Sequence, residues 1–219
     1  MAGRLAVIAG SSLSDSELPV GDWELLQRHG PPGTYVLPHQ IDHVSNLLSL
    51  ADAGCDRVLA IASVGGLREE LGPGSMLCPN DFIALDAAPS SAHADSSAHR
   101  VPGFDDDWRR RVLPAIADAD VEVVDGGVYW QSAGPRLETP AEIRLVAEHA
   151  DVIGMTVASE CVVAGELGLR YAAICVVDNL ANGVGETQLS LEQIEANREF
   201  TSGRLVAALT RALPQLASS

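Results

Sequence analysis

The sequence predicts an α/β fold, a central mostly parallel or mixed β-sheet flanked by helices, in a single domain spanning residues 1–219. Three observations carry that reading. Short continuous apolar runs (Leu5–Ala9, Val58–Ala62, Tyr171–Val177) have the length and character of buried strands. Between them lie stretches whose apolar residues recur at helical spacing, so strands and helices alternate along the chain. Finally, 219 residues contain no internal repeat and no linker-like composition that would divide them.

The elements follow in order. Leu5–Ala9 is a buried strand closed by the turn Gly10-Ser11-Ser12. Ile41, Val44, Leu47, Leu48 and Leu50 mark one helix face that Gly54 terminates. Val58–Ala62 is a second buried strand, ending at Ser63-Val64-Gly65-Gly66. Met76–Leu85 reads as a strand region interrupted by Pro79 and Asn80. Ala87–Arg100, rich in Ala, Ser, His and Asp without periodicity, reads as an exposed loop and the best candidate for a mobile flap. Trp108–Ala117 is helical and Val121–Gln131 extended. Thr139-Pro140 opens a helix with an N-cap residue and a proline at the first position. Strands at Asp151–Met155 and Tyr171–Val177 enclose a helix at Ser159–Leu167. A long helix, Ser190–Leu213, closes the chain, with Ser190 and Gln193 at capping-box spacing.

Charge and composition narrow the chemistry. The net charge is −16, and every basic side chain apart from histidine is an arginine, because the chain has no lysine. A phosphate loop that needs its lysine and a Schiff-base mechanism are both excluded. The acidic surface repels nucleic acid and anionic membranes, so an anionic ligand must be held by a locally focused site and small molecules are the expected partners. Cys55, Cys78, Cys161 and Cys175 are widely spaced, with no CxxC and no Cys/His ligand spacing, which predicts buried thiols, no metal and a reducing compartment. The apolar run near the N-terminus is too short for a signal peptide or a membrane span, so a cytoplasmic location is expected.

The most informative stretch runs from Gly134 to Gly183, which strings together GPRLETPAEIR, DVIGMT and ICVVDNLANG. A carboxylate, a Met-Thr pair and an amide in this order suit a site that grips a nucleoside and an anion together. With SVGGLREELGPG, AGSSL and RHG, these motifs resemble the trimeric purine nucleoside phosphorylases, including the methylthioadenosine and methylthioinosine phosphorylases. The resemblance covers nearly the whole chain and is poor between Ala87 and Val101.

What the resemblance implies is phosphorolysis of the N-glycosidic bond of a purine nucleoside by a pentosyltransferase of purine salvage. Inorganic phosphate is the co-substrate, no cofactor is needed, and the assembly is a homotrimer. Ser11, Arg28, His29 and Thr156 are implied as phosphate ligands, Arg28 through a bidentate fork, with a backbone N–H contribution at Ser63. Read alone, Ser11 could equally cap a turn and Arg28-His29 be solvated surface.

On the base side the resemblance implies Glu138 and Asn179, the latter 24 positions beyond Met155. An asparagine can accept from a protonated N7 and donate to O6, while a carboxylate at Glu138 can accept from the N1–H of a 6-oxopurine. Adenine presents an acceptor at N1, so this pair favours hypoxanthine or guanine. A shift of one residue would bring Asp178 to the site instead, the residue type of the methylthioadenosine branch. Glu138 could also simply stabilise a helix N-terminus.

Met155 is implied to lie against the ribose and Leu137 to form an apolar, non-aromatic wall where many members stack a phenylalanine. Leu191 falls where inosine and guanosine phosphorylases carry a histidine for the 5′-hydroxyl, which would favour a 5′-methylthio nucleoside; an ordinary core leucine is the alternative. His43, in IDHVSN, stands where a tyrosine is frequent and could contact the ribose. His93, His99 and Phe104 are candidates to close a neighbouring subunit's site. Methylthioadenosine phosphorolysis, a nucleoside hydrolase and a divergent non-catalytic paralogue are the competing readings, the last because of Leu137, IDHVSN and the shortened loop.

Overall fold

Alternation along the first strand, β1 (Arg4–Ala9), sets the layering. Leu5, Val7 and Ala9 enter one apolar cluster, Ala6 and Ile8 another, because successive strand side chains point to opposite faces. The computed structural model describes residues 3–218 except 14, 15, 17, 32, 86–89, 118–120 and 186–190. β1 lies between β2 (Trp23–Gln27) and β3 (Cys55–Gly66), parallel to both. The long strand β9 (Arg170–Leu180) runs parallel to β3 from Arg57↔Arg170 to Gly66↔Leu180.

Both long strands outrun the inner sheet, and their upper ends recruit new partners. β8 (Val152–Gly154) pairs antiparallel with β3 at Gly65 and Gly66, and β4 (Met76–Cys78) pairs antiparallel with β9. β5 (Asp81–Ile83) and β7 (Val128–Gln131) extend the β8 side; β6 (Val123–Asp125) extends the β4 side. The result is a nine-stranded mixed sheet among the described residues, parallel at six pairings and antiparallel at two.

Helices cover the two faces. α2 (Asp106–Ala117) and α5 (Leu191–Ala217) bury Trp108, Val112, Leu205 and Leu209 against Leu5, Val7, Leu59 and Ile61. α1 (His43–Asp52) and α4 (Val157–Glu166) bury Leu47, Cys161 and Ala164 against Ala6, Ile8, Val58 and Ala60. The expected helix at Thr139-Pro140 is α3 (Pro140–Val146). Its Thr139 side chain accepts from the Glu142 N–H and the Glu142 side chain accepts from the Thr139 N–H, closing a capping box.

The expected strands and helices form, with shifts of a few residues at their ends. Val121–Gln131 breaks into β6 and β7 at Gly126 and Gly127, both of positive φ. β2, the run Trp-Glu-Leu-Leu-Gln, has no counterpart in the sequence reading; its partly exposed pattern is that of a strand at the sheet's edge. The four cysteines are free and buried, as expected.

The segment read as an exposed loop and candidate flap is mostly exposed where it is described, and it is hydrogen-bonded to the end of α4. Glu166 accepts from Ser91 Oγ at 2.9 Å and from the Ala92 N–H at 2.6 Å, and Arg100 Nη1 donates to Gly165 O at 3.1 Å. The end of α4 thus anchors the segment. Phe104, considered for a neighbouring site, is instead buried between Phe82 and Tyr171. The Ser190 half of the expected capping box on α5 lies outside the described residues.

Candidate active site

Where β1, β3, β9 and β8 end, they leave a cleft of about 250 Å³. Ser11, Arg28, His29, Ser63, Leu137, Glu138, Met155, Thr156, Asp178 and Asn179 all line it. Residues more than 150 positions apart in sequence thus meet on one concave surface, at the ends of strands where α/β sheets carry their ligands. Of the residues singled out from the sequence, His43 does not reach the wall. It is 7% exposed at the start of α1, with Nδ1 3.9 Å from Glu160 Oε1, so a direct ribose contact is replaced by a place behind the wall. The Leu191 side chain lies outside the described residues.

One corner is built around Arg28. The turn after β2 carries its side chain under β1 and β3, where only 3% of the residue is exposed. Gly10 allows this: a Cβ there would lie 2.4 Å from Arg28 Nη1 and 2.4 Å from Ile61 O. The fork expected to face an anion faces Glu160 instead. Nε and Nη2 donate to its two oxygens at 2.5 and 2.9 Å, and Nη1 donates to Ile61 O at 2.7 Å. Glu160 Oε2 also accepts from Tyr171 Oη at 2.6 Å. Burial alone would raise the Glu160 carboxyl, but Arg28 against it wins and holds it below the usual carboxylate range.

Thr156 is the residue before α4, and its side chain forms no capping bond. Three N–H groups at the start of that helix are taken by other side chains. Thr156 N and Val157 N donate to Tyr129 Oη at 3.1 and 3.4 Å, and Ser159 N donates to Gln131 Oε1 at 3.0 Å. An anion at this corner would meet side-chain donors and the helix field. His29 stacks on Tyr35, rings 4.7 Å apart, and its Nδ1 lies 2.8 Å from Val36 O. A carbonyl can only accept, so Nδ1 carries a proton and Nε2 is the atom left for a ligand. Burial lowers the proton affinity of His29, and the Arg28 charge adds to that.

The opposite end is more open. Leu137 is 45% exposed, and Glu138 accepts from Ser132 Oγ while its backbone carbonyl accepts from Asn182 Nδ2 at 3.1 Å. Gly134, at φ +63°, brings the chain so close that a Cβ would lie 2.5 Å from Met155 Sδ.

Asp178 and Asn179 are neighbours, and a regular strand would turn one of them away. The register shows why both stay. Val64 pairs with Val177 but Gly65 pairs with Asn179, so Asp178 is one extra residue bulged out of β9. The two one-residue registers weighed from the sequence are therefore not exclusive: both side chains line the cleft. Asn179 Nδ2 donates to Leu180 O at 2.8 Å. Asp178 is 1% exposed; its Oδ2 accepts from Ser63 Oγ at 2.5 Å and from Arg198 Nε at 3.2 Å, while buried Oδ1 has no partner among the described residues. Burial raises the Asp178 carboxyl.

Glu160, Tyr129 and Gln131, which brace the anion corner from behind, and Arg198, which lines the cleft, are absent from the sequence reading. Glu160 sits in GMTVASE and could have been flagged as a charged residue in an otherwise apolar helix start. Arg198 carries no local signal. Among the described residues no group of three His, Cys, Asp or Glu side chains is placed to hold a metal ion, and no helix is long and apolar enough to cross a membrane.

Comparison with known proteins agrees with this geometry. The sequence pattern of the phosphorylase superfamily matches residues 20–214. A probable 6-oxopurine nucleoside phosphorylase of Archaeoglobus fulgidus is 39% identical over 186 residues, 82% of this chain and 75% of its own length. A probable S-methyl-5′-thioinosine phosphorylase of Pseudomonas syringae pv. tomato is 32% identical over 209 residues, 90% of this chain and 85% of its own. Among solved structures, a methylthioadenosine phosphorylase from Schistosoma mansoni superposes with a TM-score of 0.85 over 99% of this chain and 92% of its own. At 18% identity, that likeness speaks to the fold alone.

Proposed function

The chain belongs to the phosphorylase superfamily, and on that premise we propose that it cleaves the N-glycosidic bond of a 6-oxopurine nucleoside with inorganic phosphate. It is a purine nucleoside phosphorylase, an enzyme that transfers a pentosyl group. The single observation that carries the finer reading is the cleft itself. An arginine-containing corner with Ser11, His29, Ser63 and Thr156 faces a base end with Glu138 and Asn179.

In the reaction, a phosphate oxygen bonds to the anomeric carbon as the C1′–N9 bond breaks and its electron pair goes to the purine. The proton carried by hydrogen phosphate ends on the purine, at N7. Ser11, Arg28, His29 and Thr156 position the nucleophile, converting an encounter of two solutes into a step within one complex. Phosphate at that corner also supports the positive charge that builds on the sugar. Asn179 accepts from protonated N7 through its carbonyl and donates to O6; Glu138 accepts from N1–H and thereby disfavours adenine. Met155 and Leu137 supply apolar walls for ribose and base. No cofactor enters this scheme, since phosphate is the nucleophile.

We further propose a cytoplasmic homotrimer. The exposed Leu85 and Leu145, which line a second cleft beside Glu138, suit a subunit contact; light scattering of the purified protein measures the mass that tests this.

Incubation with inosine, guanosine, 5′-methylthioinosine and 5′-methylthioadenosine, each with and without phosphate, tests the function. Phosphate-dependent release of hypoxanthine or guanine is expected, with little adenine. Release without phosphate would convert the reading to a hydrolase.

A further inference from the structure

Resting on the phosphorolysis reading above, we propose that Arg198 is a second anion-binding guanidinium of the site, delivered by α5 and held by Asp178, and that it contacts a phosphate oxygen directly.

Arg28 is largely engaged within the protein. Of its five N–H groups, three are bonded to Glu160 and Ile61, and its charge is matched by a carboxylate 2.5 Å away. Two N–H groups remain for a ligand, but the buried pair presents little net charge to it. The chain has no lysine and carries a net charge of −16, and Glu138 and Asp178 also line the cleft. A phosphate dianion therefore needs another cation, and Arg198 is the second arginine on the wall.

Its placement suits the task. Arg198 lies four residues beyond Ile194 on α5, so the two share a face, and both line the cleft. Arg198 engages Asp178 Oδ2 through Nε alone, at 3.2 Å, and neither Nη group has a partner among the described residues. Its side chain is one-third exposed, against 2% for Asp178. The same Oδ2 accepts from Ser63 Oγ at 2.5 Å, so the guanidinium is one carboxylate away from a residue expected at the anion corner. Its charge also reaches His29, helping to lower that ring's proton affinity after burial and Arg28.

A planar guanidinium can keep Nε on one acceptor while its Nη edge meets another oxyanion, which a lysine cannot imitate. Asp178 is then a positioning residue: bulged out of β9, it fixes both Ser63 and Arg198. The Asn197 side chain, which donates to Asp178 O at 2.9 Å, fastens the same turn of α5 to β9.

The test is equilibrium binding of inorganic phosphate by calorimetry to the full chain and to Arg198→Met, which keeps the length of the stem and removes the charge. A hydrogen bond to a charged group is worth enough that phosphate affinity is expected to fall roughly tenfold to a hundredfold. The KM for inosine at saturating phosphate should change less than about threefold, within the range of a lost packing contact. Millimolar guanidinium should restore part of the lost rate in Arg198→Ala, which a merely structural role would not allow.

Unchanged phosphate affinity in Arg198→Met overturns the proposal. So does unchanged phosphate affinity combined with an altered ratio of inosine to 5′-methylthioinosine turnover, which would put Arg198 against the sugar. Should the Met variant fail to fold, Arg198→Gln, which keeps a polar contact to Asp178 without the charge, decides on the same readout. A wild-type chain that neither binds phosphate nor uses it would instead defeat the phosphorolysis reading, and this inference with it.

Discussion

The two ends of the cleft are made from different kinds of structure. At the anion corner, Arg28, Glu160, Tyr171, Tyr129 and Thr156 are each less than 9% exposed, and their polar atoms are tied to one another across β1, β3, β7, β9 and α4. At the base end, Leu137 and Glu138 ride a connecting segment between β7 and α3, and Leu137 is 45% exposed. The difference teaches where precision is needed. A multiply charged ligand is held by dipoles and charges that do not rearrange, which requires burial and low dielectric. A flat purine needs apolar walls and two or three aimed polar atoms, which a rim can supply.

The largest effect is expected from Glu160→Gln. Removing one member of a buried pair leaves Arg28 charged and unmatched, so stability should drop by about 3–5 kcal/mol, read from urea unfolding. A drop below about 1 kcal/mol, the scale of an exposed pair, would mean that water reaches this corner in solution.

Next, Asn179→Ala should lower turnover about a hundredfold or more, with ~2.7–4 kcal/mol added to the barrier, while phosphate affinity stays nearly constant. Steady-state kinetics with each substrate varied separates the two ends; a matching loss of phosphate affinity would show them to be one unit. Thr139→Ala, at the rim, removes the N-cap of α3 beside Glu138 and should cost about 1 kcal/mol in unfolding with phosphate affinity intact.

The smallest effect is a slope. Burial raises the Asp178 carboxyl on folding, with Ser63 and Arg198 working against it, so the folded state holds its proton more tightly than the unfolded one. That stabilisation is complete below the unfolded value of ~3.9 and is lost as pH rises through the folded pKa. Asp178→Asn cannot lose it, so the unfolding midpoint of the variant should gain on the wild type as pH rises above about 4. A constant gap would indicate that Ser63 and Arg198 fully offset the burial.

The sequence made the sheet legible because the inner strands are continuous apolar runs, and α3 legible because Thr139 and Pro140 are local signals. β2 escaped because an edge strand with one face partly exposed has no such run. At the site, the Met155-to-Asn179 spacing identified a real wall residue, but a linear count cannot see a bulge, so Asp178 looked like an alternative where it is a companion. Arg28 was recognisable as important, while its Glu160 partner was not, because 132 residues separate them and only the fold joins them. His43 illustrates the converse: a polar residue near the site in sequence that folding places behind the wall. Arg198 is the hardest kind, a charged residue on a long amphipathic helix that looks in sequence like any solvated arginine.

Gly10 ties these points to inheritance. The space a Cβ would fill is the space the Arg28 guanidinium and the Ile61 carbonyl already occupy, so positions 10 and 28 are sterically coupled. With Arg28 kept, a library randomised at position 10 should return glycine among its active members. Alanine or larger should be missing from them, because the added carbon meets the Ile61 carbonyl as well as the guanidinium.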